Sequence, residues 1–341
     1  MNRITALDAV RGAAALAVAI SHYLMAQNPG WKLIEDISVI SVEVFFVLSG
    51  FVLAPQIILC MEKDNARNLK TFFMRRWMRT LPSFVVALLG VSIISASLFS
   101  VDFFKYLFFL RNFFSIKNVG DYFVPAWSLA VEEWFYVVFP LFLLATKRFK
   151  ISILQQTVIF VVVFMVFRLA VGMMSGDALM HSRRVVLFRL DSIGFGFLLY
   201  FWSGKLAAYA KWIWPIIFLL SGRILFLVLD APEDHHSLFM DLSFFYAAAA
   251  LGVSVILTAC SLENVFDGNT ILKNGSSFFG KISYSVYLFH VVFITLVNRR
   301  LGHEAEWIRF GAYLALLIGF TYVFYHYVEA PLLAARPKYL Q

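Results

Sequence analysis

Cysteine and charge are scarce in this chain. It holds two cysteines, Cys60 and Cys260, which excludes a disulfide framework and a metal centre built from thiolates. Charged residues make up only 15% of the sequence, and the 29 basic residues outnumber the 21 acidic ones. That excess does not form a basic face. It collects at the ends of apolar stretches, which argues against nucleic acid as a partner. No low-complexity tract and no internal repeat divides the chain. The expected organisation is therefore one domain over residues 1–341, with no fused soluble domain.

Apolar residues fill the space that charge leaves. Hydrophobic residues reach 61% and aromatics 18%, against roughly 45–50% apolar in an ordinary soluble chain. A soluble fold of 341 residues has too little interior to hide that surface. The expectation is an all-α, multi-pass membrane bundle. Apolar segments of suitable length fall at about 6–25, 37–60, 81–99, 124–146, 151–173, 184–203, 212–229, 238–260, 279–298 and 307–328, about ten transmembrane helices. The stretch Phe103–Phe114 is too short to span and carries Lys105 and Arg111, so it reads as interfacial or re-entrant. Were it to span, every later helix would invert.

Lys and Arg set the expected orientation. Lys63, Arg67, Lys70, Arg75, Arg76 and Arg79 lie in the 61–80 segment, Lys147, Arg148 and Lys150 follow the fourth span, Lys205 and Lys211 follow the sixth, and Arg336 and Lys338 follow the last. With ten spans, all of these share one side with both termini, and that side is expected to be cytoplasmic. The 230–238 segment, DAPEDHHSL, is acidic and falls opposite. Its His235-His236 pair reads as a solvated loop rather than a metal site. Arg3 and Arg11 before Ala13–Ile20 imitate a secretory signal, but Asp8, His22 and the lack of a small-x-small cleavage site fit that poorly.

The first span places Arg11 and His22 inside a run of Ala, Val and Leu. Eleven residues at 100° each bring them to within about 20° of one face, roughly 16.5 Å apart along the axis. Asp8 lies within about 40° of His22 on the same wheel. Intramembrane charge costs a few kcal/mol unless it faces a polar interior, so these residues are functional candidates. Glu43, Glu132, Glu133, Arg168, Arg189, Asp191 and Arg223 fall in the same outer half as His22 under this topology. Such a mixed layer around a histidine suits acid–base chemistry, although interhelical ion pairing would also account for it. Arg75-Arg76-Trp77-Met78-Arg79 reads either as a topology signal or as a clamp for phosphate, because guanidinium forks fit phosphate oxygens.

Several motifs then resemble the acyltransferase 3 family of polytopic membrane enzymes that O-acylate surface polysaccharides. They run the length of the chain: Leu7-Asp8-Ala9-Val10-Arg11-Gly12 followed by His22; Phe45-Phe46-Val47-Leu48-Ser49-Gly50-Phe51; Arg76-x-x-Arg79; Trp127-Ser128-Leu129-Ala130-Val131-Glu132-Glu133-Trp134-Phe135-Tyr136; Arg189-Leu190-Asp191-Ser192-Ile193; Gly280-Lys281-Ile282-Ser283-Tyr284-Ser285-Val286-Tyr287-Leu288-Phe289-His290; and Val328-Glu329-Ala330-Pro331. Trp134 stands where the family usually has Gln, Ala9 where it has Gly, and the common Arg after Glu329 is absent.

The resemblance implies an acyl-CoA donor, acetyl-CoA by default, no metal, and a carbohydrate acceptor in the cell envelope. It implies a bacterial cytoplasmic (inner) membrane. The RxxR segment, with Arg75, Arg76 and Arg79, would hold the CoA phosphates. Ser49-Gly50 would let the donor arm approach the second helix closely. Arg11 would guide the donor toward His22, which would act as general base or as acyl carrier. Glu132 or Glu133 would orient the imidazole, and Arg189 would face the oxyanion. Asp8, Glu43, Asp191 and Tyr284 would complete the polar layer. Ser128 reads as a capping or back-bonding serine rather than a nucleophile. The competing class is a transporter or flippase using the same charges as a substrate or proton path. CoA dependence separates the two.

Overall fold

The computed structural model describes residues 4–62, 65–113, 122–175, 184–206, 210–229 and 238–339. Among them the secondary structure is helical throughout. The helices are α1 (Thr5–Gln27), α2 (Lys32–Glu62), α3 (Asn65–Ile94), α4 (Val101–Leu107), α5 (Ala126–Thr146), α6 (Ile153–Ser175), α7 (Leu190–Leu206), α8 (Ala210–Leu229), α9 (Leu238–Ser261), α10 (Glu263–Gly268), α11 (Thr270–Leu301), α12 (Glu306–Phe324) and α13 (Ala330–Ala334). Among the described residues, nine helices are long and apolar enough to cross a membrane, and α8 adds a shorter apolar run at Pro215–Val228. The 230–237 segment, with His235 and His236, lies outside the described residues, as do the side chains of Lys205 and Lys211.

Each expected span coincides with a helix, but two boundaries differ. The basic 61–80 segment is helical from Asn65 onward, so Arg75, Arg76 and Arg79 stand on α3 rather than in a loop. At its other end α3 stops at Ile94, and Ala96 and Phe99 take left-handed backbone (φ 53° and 59°) without a glycine to announce it. Of the described residues 103–113, only Phe103–Leu107 are α-helical, within the seven-residue α4, which is too short to span and is capped by Ser100 accepting from the Phe103 amide at 3.1 Å.

Helix pairing gives an independent check on that parity. His22 meets His290, Gln27 donates to Asn298 at 2.9 Å, and Gly280 packs on Asp8, so residue numbers rise together along α1 and α11. The first and ninth spans are parallel, as ten crossings require. A spanning 103–114 segment would make them antiparallel. The start of α1 is capped from elsewhere: the Glu263 carboxylate of α10 accepts from the amides of Thr5 at 2.7 Å and Ala6 at 2.8 Å, satisfying two otherwise orphaned donors.

Two glycines bring α2 and α7 to backbone contact. A Cβ at Gly50 would overlap the Ile193 carbonyl and sit 2.8 Å from the Phe197 nitrogen, and one at Gly196 would overlap the Val47 carbonyl. Gly50 therefore serves a helix crossing, which corrects the expectation that it admits the donor arm. Gly50→Val should force the two backbones apart at a cost of about 1–3 kcal/mol. A clearly lowered melting midpoint in detergent checks this, and an unchanged midpoint rejects it.

Candidate functional site

Between α1, α2, α3, α5 and α11 lies a cavity with about 750 Å³ of atom-free space, including its mouth. Arg11, Ser49, Arg76, Arg79, Glu132 and Tyr284 line it, together with Ser128, Tyr136 and Tyr287. Six residues picked from sequence thus face one space. Arg76 is 8% exposed, and one guanidinium nitrogen donates to Gln56 Oε1 at 2.7 Å. Its Nε is buried without a partner among the described residues. The guanidinium lies 5.8 Å from the ring centres of both Phe72 and Tyr136, so its flat faces rest on aromatic surface. Asp8 is 3.8 Å from Arg11 one turn away, anchoring that guanidinium on α1.

The two glutamates take different places. Glu132 lines the cavity and accepts from Tyr136 at 3.1 Å. Glu133 points away from it and accepts from Thr80 at 2.6 Å. The Thr80 carbonyl in turn accepts from Tyr284 at 2.8 Å. Glu133 therefore braces the wall that carries Arg76 and Arg79. As expected from their 100° offset, only one of the pair faces the cavity.

His22 sits just past the far end of this space. Along α2 the lining residues run Val52, Ser49, Phe45 and Val42, and one turn further on Ser38 is 3.1 Å from His22 Nε2. Along α11 they include Tyr284 and Tyr287, and one turn further His290 Nε2 is 2.6 Å from His22 Nδ1. His290 Nδ1 is 2.6 Å from the Tyr287 carbonyl.

With both imidazoles neutral, these contacts assign the tautomers. A carbonyl only accepts, so His290 Nδ1 carries a proton and its Nε2 is a lone pair. His22 Nδ1 must then donate to that lone pair. His22 Nε2 is left as the basic nitrogen, accepting from the Ser38 hydroxyl. An imidazole, His290, occupies the orienting position expected of Glu132 or Glu133. The α11 motif ending in His290 is visible in sequence, but the i, i+3, i+6 spacing of Tyr284, Tyr287 and His290 reads as a polar helix contact rather than a site. Only the parallel α1–α11 pairing brings it to His22. Ser38 had no signal.

The expected single polar layer is instead several groups. Glu43 pairs with Arg189, both 1% exposed, and Arg168 pairs with Asp191, at 2% and 0%. Arg189 also faces the Phe245 ring at 4.5 Å and the Phe46 ring at 5.7 Å. These pairs lock α2, α6 and α7 together, and neither lines the cavity. Arg189 is thereby held away from the oxyanion role expected of it, while Arg223 is exposed on α8. Arg75 is also outside the lining. It donates to the Pro337 carbonyl at 2.6 Å and faces the Tyr339 ring at 5.1 Å. Ser128 is 3.1 Å from the Pro125 carbonyl and 2.5 Å from the Tyr287 hydroxyl, so it back-bonds as expected. Glu329, on a π-helical turn, accepts from Ser83 at 2.9 Å and Ser285 at 2.5 Å, tying α3, α11 and the turn together. Among the described residues, no group of three or more potential ligands could hold a metal ion.

Several named proteins are similar to this chain in sequence. The protein named "Putative O-acetyltransferase SACOL0978" of Staphylococcus aureus (strain COL) is 26% identical over 382 aligned positions, covering 100% of this chain and 60% of that protein. The "Peptidoglycan O-acetyltransferase OatA" of Listeria monocytogenes is 30% identical over 158 positions, covering 41% of this chain and 24% of its own. An uncharacterised Haemophilus influenzae protein is 33% identical over 142 positions, covering 37% of this chain and 56% of its own. The chain thus spans about 60% of the length of the staphylococcal relative. No solved structure matches. The Acyl_transf_3 family model, described as an acyltransferase domain, matches residues 4–326. That match takes in every helix from α1 to α12, including the cavity and the histidine pair beyond it, and the chain belongs to this acyltransferase family.

Proposed function

We propose that this multi-pass membrane protein is an O-acetyltransferase that moves an acyl group from acyl-CoA to a hydroxyl of a cell-envelope carbohydrate. One observation carries the reading. A cavity lined by three arginines at one end leads toward a histidine pair at the other, along the roughly 16.5 Å that separate Arg11 from His22 on α1. A donor with phosphates at one end and a thioester at the tip of a long arm fits that layout. A transporter would use the histidine pair as a proton path but has no need of the arginine-lined end for a CoA-like donor, and CoA dependence separates the two.

In the reaction, the acceptor hydroxyl takes the place of Ser38 at His22 Nε2 and gives up its proton there. Its oxygen attacks the thioester carbonyl and forms the new C–O bond. The C–S bond then breaks, and His22 returns the proton to the leaving thiolate, giving the ester and free CoA. His290 Nε2 accepts from His22 Nδ1 throughout, so the imidazolium formed midway stays oriented. Arg76 and Arg79 bind phosphate, and Arg11 lies on the path between. With the basic end of α3 facing the cytoplasm, the donor enters from the side where acyl-CoA is made and His22 works near the opposite face. The names of the relatives support acetyl as the acyl group and a glycan as acceptor.

Membranes given acetyl-labelled acetyl-CoA and envelope glycan extracts should gain base-releasable label on carbohydrate. No label, together with no CoA binding, would overturn the proposal. Arg76→Ala and Arg79→Ala should each raise the apparent KM for acetyl-CoA about tenfold, as loss of a charge-assisted phosphate contact does, with little change in acceptor KM. A donor titration with unchanged KM in both variants would reject the clamp.

A further inference from the structure

The segment after α13, beyond the family match that ends at residue 326, is held down onto α2 and α3. Arg75 donates to the Pro337 carbonyl at 2.6 Å and faces the Tyr339 ring at 5.1 Å. The Tyr339 hydroxyl donates to Gln56 Oε1 at 3.2 Å, the same oxygen that receives Arg76 at 2.7 Å. One amide oxygen thus ties the segment to an arginine that lines the cavity. Arg336 directly precedes Pro337, so the contact from Arg75 holds its backbone at this edge of α3, within electrostatic reach of Arg75, Arg76 and Arg79. Its Nε donates to the Leu333 carbonyl at 3.0 Å, which secures the base of the side chain and leaves the terminal nitrogens for another acceptor. Burial, then Arg75, Arg79 and Arg76, lower the Arg336 guanidinium to about 10, still cationic at neutral pH.

Four guanidiniums converge here, and among the described residues no carboxylate pairs with Arg75, Arg76, Arg79 or Arg336. Glu132 and Glu329 offset part of the charge on Arg76 and Arg79, whereas the charged groups that act on Arg336 are the other guanidiniums, which repel it. An anion carrying more than one phosphate relieves that repulsion.

We propose that Arg336, positioned by the Pro337–Tyr339 segment, completes a phosphate subsite with Arg75 at the mouth of the cavity, so that this segment forms part of the donor site. This rests on the acyl-CoA reading and deepens it. The ligand chemistry is a nucleotide bearing separate phosphate groups. Arg76 and Arg79 face the interior, and Arg336 meets the phosphates that stay outermost. The family-matched helices supply the inner guanidiniums, and the segment beyond them supplies the outer one.

The test uses full-length protein in phosphatidylcholine nanodiscs, with CoA and adenosine 3′,5′-bisphosphate as probes. Wild type should bind both. Arg336→Ala should weaken both about five- to tenfold and flatten the salt dependence of binding, since one screened contact is lost. Arg336→Lys should recover part of the affinity, and Tyr339→Ala should imitate Arg336→Ala by releasing the segment. Melting midpoints show that the variants stay folded. Unchanged binding of both probes by folded Arg336→Ala overturns the subsite while leaving the acyl-CoA reading intact. The subsite also falls if Arg336→Ala alters only the response to added anionic phosphatidylglycerol, because the phosphate would then be a lipid headgroup. Failure of wild type to bind CoA would instead bring down the donor reading, and the subsite with it.

Discussion

His22→Ala is expected to lower acyl transfer by about 10²–10⁴-fold while insertion, melting midpoint and CoA affinity stay near wild type. Structure and chemistry separate cleanly at this position. The imidazole hangs at the end of a hydrogen-bonded line from the Tyr287 carbonyl through His290, and its Nε2 faces the Ser38 hydroxyl. Removing it leaves His290 Nε2, a weak acceptor, and the Ser38 hydroxyl, which can back-bond to its own helix. The phosphate end lies about three turns away and is untouched. His290→Gln provides the companion result. A glutamine cannot both donate to the Tyr287 carbonyl and accept from His22 in the same geometry, so transfer should fall less steeply than in His22→Ala, with donor KM unchanged. Transfer retained by folded His22→Ala would move the chemistry elsewhere, with Glu132 next because it is the carboxylate that lines the cavity.

The second large effect is on stability. Arg189→Met should destabilise the protein by about 3–5 kcal/mol, because it strands the Glu43 carboxylate in a site where both partners are 1% exposed. Glu43→Leu should do comparable damage by leaving a buried guanidinium. The double variant Glu43→Leu/Arg189→Met should recover much of the loss, since two apolar side chains can fill the volume without an unpaired charge. Catalysis in the recovered double variant should resemble wild type. A double variant that is stable yet inactive would return Arg189 to the oxyanion role. Thermal unfolding in detergent and the labelled transfer assay together decide the matter.

Much of this architecture was legible in sequence. The apolar helices follow from apolar length, and the turn-by-turn logic of α1 puts Arg11 and His22 on one side of a helix, of which Arg11 lines the cavity and His22 meets His290. Arg76, Arg79, Ser49, Glu132 and Tyr284 come together because their motifs sit at matching heights on α2, α3, α5 and α11. Periodicity sees only one helix at a time, however. It cannot say which acid meets which base, so Glu43, Arg189, Arg168 and Asp191 read as one layer with His22 when they form separate locks. Gly50 was singled out for close approach, and close approach is what it provides, though to the Ile193 carbonyl of α7 and not to a ligand. His290 belongs to a motif that was noticed, yet its partner lies 268 residues away in sequence, and no local pattern encodes that meeting.

That separation also sets a schedule. α1 is made before α11, and His290 follows His22 by 268 residues. At roughly 5–20 residues per second, this delay is about 13–54 s. Throughout it His22 lacks the acceptor that fixes its tautomer, and α1 lacks the Glu263 carboxylate that caps its first turn. Until the ninth span packs alongside the first, the histidine pair on which the proposed chemistry rests is not assembled.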